Sequence, residues 1–406
     1  MAVIVAFSGS AAGAAFDGSW VHRALDLQYR LSGDVGLRNA PFIGTHNSFN
    51  SVAEMGPTTS TLDPNQQLSI VDQLNLGIRA LELDVHWTVS PSTGQLAPVV
   101  CHGLANHFPC TAEKTLGPVL EEIAAWMREP ANTDQVLFLY LEDHLDNATG
   151  YDAAAAILHQ ELGDVLYPPP PSGGCQKLLL GLTRNQILAA GKRVIIVGNS
   201  PCGVGGAWPS LVFDWEDHLE TQPVTFSDFP GCGVDYTRAQ FDSTQIRYYE
   251  DARPSQGASP RITPQGAAEM ARCGVDLLGL DQLAPTDARL SALVWSWAEG
   301  QPRRGRCAVQ TSRAGSLTTP WRTLPCGKLR RPACRRGARW LLGAETVTEK
   351  RGRAECRSLH AQFAVPRTGF EAQLLRRRMQ GSRTRQVWLG YLKRRGGWTA
   401  LDKRSG

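Results

Sequence analysis

Four short stretches place acids, histidines and an amide directly behind apolar runs. Phe42-Ile43 leads into Gly44-Thr45-His46-Asn47-Ser48, and Leu81-Glu82-Leu83-Asp84 holds two carboxylates two residues apart. Val99-Val100-Cys101 leads to His102, and Leu139-Tyr140-Leu141 leads to Glu142. On an extended chain, residues two apart share a side, so Glu82 and Asp84 point the same way. Two imidazoles supply an acid, a base or a hydrogen-bond donor at neutral pH. Asn47, Glu82, Asp84 and Glu142 offer only oxygen, the ligand preferred by hard cations such as calcium or magnesium. Three acids gathered at one point ionise together only around a cation. The set suits cleavage of a phosphodiester. That reaction needs a base for the nucleophile, an acid for the leaving oxygen and positive charge over the non-bridging oxygens. Alone, a histidine or glutamate behind a strand is more often structural than catalytic; the four stretches together carry the reading.

The elements that must hold these residues alternate between strand and helix. Asp63-Pro64 is placed to start a helix, with Leu68, Val71 and Leu74 on one face and Gly77 as its end. Strand patterns follow at 80–85 and 98–101. A helix pattern over 115–129 has Leu120, Ile123, Ala124 and Met127 on one face and Pro130 as its stop. The apolar run 136–141 reads as a strand buried on both faces. Further buried-strand patterns lie at 192–197, behind a helical stretch over 185–190, and at 275–280. Alternation of this kind predicts a parallel sheet in an α/β fold, long enough to close as a TIM-type (β/α)8 barrel whose active face lies at the C-terminal strand ends. The stretch 145–270 shows no clear period, and Pro168 to Pro171 mark a loop. His86, His107 and His144 neighbour the four stretches without a required role and read as structural or solvated. The glycine-rich Cys202-Gly203-Val204-Gly205-Gly206 lacks a following Lys-Ser/Thr and reads as a loop.

The 406 residues suit one barrel plus an appendage, and the net charge of +4 hides a sharp split. From Gln301 onward there are 26 Lys and Arg against 5 Asp and Glu, a net of +21, leaving 16 against 33 and a net of −17 in the rest. Such a change marks a boundary near residue 300. The division expected is a barrel over 25–298 and a smaller, basic, cysteine-containing α+β domain over 299–406. Residues 1–15 resemble the apolar core and small-residue cleavage end of a secretion signal, without the usual positive start. The 10 cysteines contain no Cys-x-x-Cys, which removes the usual zinc and thioredoxin-like readings. An even number of scattered cysteines behind such a leader favours disulfides and an extracellular location. Cys101 and Cys110 are close enough to staple one loop. No nucleic-acid partner is expected.

The motifs Gly-Thr-His-Asn-Ser-Phe (44–49), Gly-Ile-Arg-Ala-Leu-Glu-Leu-Asp (77–84), Val-Cys-His-Gly (100–103) and Tyr-Leu-Glu-Asp-His (140–144) resemble the catalytic X region of phosphatidylinositol-specific phospholipases C. The resemblance implies that His46 stabilises the pentacoordinate phosphate and that His102 is the general acid. It also implies that Asn47, Glu82, Asp84 and Glu142 bind calcium (magnesium being the alternative), with Glu82 among the candidate bases. Metal-free bacterial members carry an Asp where this chain has Asn47 and an Arg where it has Asp84, so the resemblance points to the metal-dependent branch. Asp281, behind Leu277-Leu278-Gly279-Leu280, resembles the late-barrel Asp that orients the first histidine. The implied substrate is a phospholipid or a small phosphodiester, phosphatidylinositol first, at a peripheral membrane surface. The family's head-group-binding lysines and arginines have no match here. Glycerophosphodiesterases and sphingomyelinase-D-like enzymes, which share the barrel, the Glu-x-Asp pair and the two histidines, therefore stay open.

Beyond Trp295, the stretches Trp295-Ser296-Trp297 to Pro302, Cys307, Trp321, Cys326 and Cys334 look like the second half of a C-type-lectin-like domain. Cys356, Phe363 to Pro366, the helical 371–379 and Val387-Trp388-Leu389-Gly390 look like its first half, in reversed order. That resemblance implies pairs Cys307–Cys326 and Cys334–Cys356 and names a glycan as partner, although the sugar-binding motifs are incomplete. The rival to an enzyme is a non-catalytic protein that binds carbohydrate or a membrane surface on a barrel scaffold.

Overall fold

The computed structural model describes residues 18–402 apart from 41, 56–63, 91, 104–105, 108–109, 111–113, 172–175, 180, 199–205, 215–218, 221–228, 230–231, 233–247, 252–261, 275–276 and 313–319. The expected leader over 1–15, Asp63 and nearly all of the glycine-rich stretch from Cys202 lie outside the described residues.

Strands β1 (Phe42–Thr45), β2 (Ala80–Val89), β3 (Leu96–Val100), β4 (Lys114–Thr115), β5 (Leu137–His144), β6 (Val194–Gly198), β7 (Phe213–Asp214), β8 (Leu219–Glu220), β9 (Tyr248–Glu250) and β10 (Leu277–Leu280) build the first sheet. Eight of them run parallel in the order β7-β6-β5-β2-β1-β10-β9-β8. The eight strands expected of the barrel are thus present. Among the described residues, however, no hydrogen bond joins β7 to β8, so the observed architecture is an eight-stranded parallel α/β sheet. Alternation sorts its side chains. Leu81, Leu83, Val85, Leu137, Leu139, Leu141, Val194 and Ile196 pack against helices in one core. Phe42, Ala80, Phe138, Tyr140, Ile195 and Val197 fill the other face. Along that second face, apolar residues at the N-terminal ends give way to Glu82, Asp84 and Glu142 at the C-terminal ends.

The helix Leu116–Arg128 starts at Thr115 and buries Leu120, Ile123, Ala124 and Met127, as the period predicts. The helix expected from Asp63-Pro64 begins later. It spans Ile70–Asn75, capped by the Ser69 hydroxyl accepting from Asp72 N, and Gly77 follows in the left-handed region at φ +95°. The preceding residues are used otherwise: Gln66 N donates to Asn50 O and Val52 N to Gln66 O, 3.0 Å each, tying this segment to the turn after β1. The helix Ala148–Leu162, capped by Asn147, fills part of the span without clear period. Its alanines at 153–156 cover every side of the helix and blur the amphipathic signal.

The chain beyond residue 300 builds a separate sheet. It consists of β11 (Cys307–Thr311), β12 (Trp321–Leu324), β13 (Arg331–Arg336), β14 (Arg339–Leu342), β15 (Gln362–Phe363), β16 (Gln386–Arg394) and β17 (Gly397–Ala400). The order is β12-β11-β16-β13-β14, with β15 on β13 and β17 on β16. Trp297, Trp321, Trp340 and Tyr391 fill its core. Disulfides Cys307–Cys326 and Cys334–Cys356 close it, the pairs that the lectin-like resemblance implied. Cys101–Cys110 and Cys232–Cys273 staple the part built on the first sheet.

The helix Trp20–Leu31 belongs to both. Leu25 sits in the first core and Ala24 and Leu31 in the second. The buried Gln28 side chain accepts from Trp295 N (2.9 Å), Ser296 N (3.1 Å) and Ser296 Oγ (2.8 Å). No helix among the described residues is long and apolar enough to cross a membrane.

Candidate active site

β1 ends in a turn that bends sharply at Asn47, whose φ of +43° is a conformation asparagine tolerates better than most side chains. The turn is clamped to β2: Ser48 N donates to Glu82 O, and Glu82 N donates to Ser48 Oγ, both at 3.0 Å. Asn47 N also donates to Glu82 Oε2 at 3.3 Å. From the other side, Gln66 Nε2 donates to His46 O and Leu280 O, 2.7 Å each. His46 is thereby fixed by its backbone between β1, β2 and β10.

Its ring is held as well. His46 Nδ1 lies 3.0 Å from Asp281 Oδ1. Asp281 has no exposure, and burial raises its pKa while the bond to His46 opposes that rise. Asp281 is set in turn by Asp251, whose Oδ2 accepts from Asp281 N at 3.3 Å and from Arg289 Nη1 at 2.7 Å.

The Asn47 amide is wedged between His46 Nε2 and Asp84. One terminal atom lies 3.0 Å from the imidazole and the other 2.9 and 2.6 Å from the two Asp84 oxygens. With Nδ1 donating to Asp281, two arrangements are self-consistent. A bare Nε2 accepts from the amide nitrogen, and the amide oxygen then meets Asp84 in an all-acceptor contact that a cation relieves. A protonated Nε2 donates to the amide oxygen, and the amide nitrogen then donates to Asp84.

Glu82, Asp84 and Glu142 each bring a carboxylate oxygen within 4.8 Å of the others. The cause is register: Asp84 faces Glu142 across the parallel pair β2–β5, and Glu82 sits two residues earlier on the same face. This all-oxygen set, with the Asn47 amide at its edge, fits a hard divalent cation.

The next rung is made of imidazoles. His86 faces His144, and their rings stack at 4.5 Å. His144 Nε2 lies 3.0 Å from Glu142 Oε1, a bond that raises the His144 pKa against the effect of burial. His86 is fully buried, and burial, with the neighbouring His144 and His107, lowers its pKa to about 4. His107 joins the rung through Nδ1 at 3.0 Å from His86 Nδ1, and its Nε2 lies 2.8 Å from Asp146 Oδ2. His86, Cys101 and Cys110 also lie close together, but the two sulfurs are bonded to each other and offer no thiolate.

His102 reaches the site by a different route from the one the sequence predicts. β3 is not a barrel strand; it runs antiparallel to β2, and Cys101 N donates to Asp84 O at 3.2 Å. The hairpin folds the chain back, so Cys101 meets Asp84 from outside the parallel sheet, and the next residue, His102, is exposed. Its Nδ1 lies 3.3 Å from Asn50 Nδ2, which also donates to Asn65 Oδ1 at 2.6 Å. Asn65 Nδ2 donates to Asp281 Oδ1 at 3.3 Å and lies 3.3 Å from His46 Nδ1. Two asparagines therefore bridge the surroundings of the two histidines. Sequence reasoning missed Asn50, Asn65, Asp251 and Arg289. The one available signal was Asn50, which directly follows a quoted motif.

Comparison with known proteins shows what the chain as a whole is similar to. A family model described as the Rv2075c PI-PLC-like domain matches residues 4–287. Two Mycobacterium tuberculosis proteins, MT2135 of strain CDC 1551 and Rv2075c of strain H37Rv, are each 38% identical over 379 residues, covering 86% of this chain and 76% of their own. The PI-PLC X domain-containing protein 1 of Arthroderma benhamiae is 27% identical over 215 residues, 52% of this chain and 60% of that protein. Among solved structures, the phosphatidylinositol-specific phospholipase C of Listeria monocytogenes is similar at 14% identity and a TM-score of 0.43, covering 66% of this chain and 97% of that one. A calcium-dependent phosphoinositol-specific phospholipase C from Pseudomonas sp is similar at 13% identity and a TM-score of 0.36, covering 62% and 92%.

Proposed function

This chain belongs to the Rv2075c PI-PLC-like family, and from that premise we propose that it is a secreted, metal-assisted phosphodiesterase of the phospholipase C type. Its substrate in this reading is a phospholipid or related phosphodiester, with phosphatidylinositol-type lipids first. The observation that carries the proposal is the meeting of a three-carboxylate cluster with an imidazole buttressed by a buried aspartate.

His46, kept in place by Asp281, donates to the non-bridging oxygens as negative charge builds on them. Asp281 keeps the ring oriented and stabilises its charged form. His102, exposed at the rim, donates a proton to the leaving oxygen. Glu82 is the candidate base for the attacking hydroxyl. Asn47, Glu82, Asp84 and Glu142 would hold calcium, which lowers the pKa of that hydroxyl and neutralises phosphate charge. On an inositol lipid the attacking group is the 2-hydroxyl, and the products are a cyclic phosphate and diacylglycerol. Four disulfides among the described residues support an oxidising compartment.

The test has two arms. Turnover of a fluorogenic phosphodiester is followed with and without chelator, then on a panel of phosphatidylinositol, glycerophosphodiesters and sphingomyelin. Separately, calcium is titrated against melting temperature. The reading expects a calcium-dependent rise of several degrees in the wild type that disappears in Glu82→Gln/Asp84→Asn, since a ligand stabilises only the state that binds it. Turnover indifferent to chelator and to His46→Ala would refute it.

A further inference from the structure

The arginines of the second domain are not spread evenly. β16 runs antiparallel to β11, with Leu392 opposite Cys307 and Lys393 N donating to Arg306 O at 2.8 Å. β13 runs parallel to β16, with Arg331 level with Val387, so both strands finish at one end of the sheet. There β13 turns into β14 with Arg336 directly opposite Arg339, and β16 turns into β17 with Arg394 opposite Gly397. The start of β11, the end of β16 and two hairpin tips therefore bring Arg306, Arg336, Arg339, Lys393, Arg394 and Arg395 to one end of the sheet, where β15 and β17 separate the two tips. All six are exposed, and none makes an ion pair among the described residues.

Like charges facing each other across a strand pair destabilise it. Arg336 and Arg339 are such a pair, and an anionic partner at the tips removes that repulsion. Arginine outnumbers lysine in this domain by 22 to 4 from Gln301 onward, and the guanidinium fork is suited to bidentate contact with phosphate. The edge is formed by hairpin tips at one end of the sheet, with β15 and β17 between them. Trp398, beside the β16–β17 tip, is half-buried and packs on Trp297 with ring centroids 4.6 Å apart. Exposed guanidinium tips with an amphipathic ring beside one of them match a planar array of headgroups. A nucleic-acid strand is better served by a groove with several stacking faces.

We propose that this edge docks the protein on bilayers containing anionic phospholipids. The choice of lipid over other polyanions rests on the phosphodiesterase reading; the cationic edge itself does not.

The test is co-sedimentation of the full chain, in chelator so that nothing is hydrolysed, with phosphatidylcholine vesicles and with phosphatidylcholine–phosphatidylglycerol vesicles. Wild type is compared with Arg336→Glu/Arg339→Glu/Arg394→Glu/Arg395→Glu and with Arg378→Glu/Arg385→Glu, whose charges lie on the helix before β16 and at the opposite end of that strand. The expected result is binding only to anionic vesicles, weakened by high salt, at least about tenfold weaker for the edge variant and within about twofold for the control. Hydrolysis of a soluble phosphodiester by the edge variant should match wild type, which shows that the variant folds. Equal vesicle binding by wild type and edge variant, or an equal loss in the control, overturns the proposal. So does an edge variant that loses binding to duplex RNA but not to vesicles. A wild type that binds vesicles but cleaves no phosphodiester would instead refute the enzymatic reading and leave the docking surface standing.

Discussion

The two halves of this protein handle like charge in opposite ways. In the first, acids are drawn inward: Glu82, Asp84 and Asp281 are almost completely buried, and histidines and asparagines are packed around them. In the second, cations other than Arg367 face outward, many of them on strand tips, and the interior is mainly tryptophans and two disulfides. Burying like charges requires a partner within a few ångströms, because desolvation is severe. Exposing them defers the partner to something outside the molecule. The first half is therefore a candidate reaction centre, and the second a candidate contact surface.

The contrast is broken most severely at the buried end. Replacing His46 by Ala should lower turnover by about a thousandfold or more with little change in folding, as checked by single-turnover rates and circular dichroism. If Asp281 acts only by orienting His46, Asp281→Asn should lose less. The disulfides offer the next largest effect. Opening Cys307–Cys326 by a double Ser substitution removes a closure of 19 residues and should cost about 3 kcal/mol while leaving kcat unchanged. Opening Cys101–Cys110 should reduce kcat, because that loop presents His102. Equal effects of the two on kcat would erase the functional distinction between the halves.

A finer probe is Asn65→Ala, which cuts the link between the histidines' surroundings. A kcat loss of about tenfold with KM unchanged would identify Asn65 as a positioning residue. The smallest expected effect concerns pH. His86 has its pKa lowered to about 4, so the unfolded chain takes the proton first as pH falls. Stability is full above the ordinary histidine range and declines as pH drops from about 6.5 toward 4, by up to about 3 kcal/mol. Urea midpoints at pH 7 and 4.5 should converge in His86→Asn relative to wild type. His144, whose pKa is raised by Glu142, acts with the opposite sign: its contribution is present at low pH and fades as pH rises through the raised value.

Much of the site was legible because strand chemistry is local. An apolar run followed by an acid or imidazole shows where a buried strand surfaces, and the two-residue period put Glu82 and Asp84 on one face. The disposition of His102 was not legible, since nothing within Leu96–Val100 reveals that the strand turns back antiparallel on β2. Nor was the start of the helix before β2: Asp63-Pro64 has the right local chemistry, but long-range bonds from Asn65 and Gln66 claim that segment for the site. Asn50, Asn65 and Arg289 act through partners distant in sequence, and single polar residues in loops leave no periodic trace. His86 and His144 looked incidental because their meaning lies in the register between β2 and β5.

The shared helix Trp20–Leu31 has a practical consequence for anyone dividing this protein. The shift in composition near residue 300 invites a cut there, yet Ala24 and Leu31 would then lose the tryptophan-rich packing that covers them, and the buried Arg367 would no longer reach Leu31 O and Asp34. A chain ended at that point would carry a raw apolar seam along its own first helix. It should self-associate, whereas the whole protein should melt as one unit.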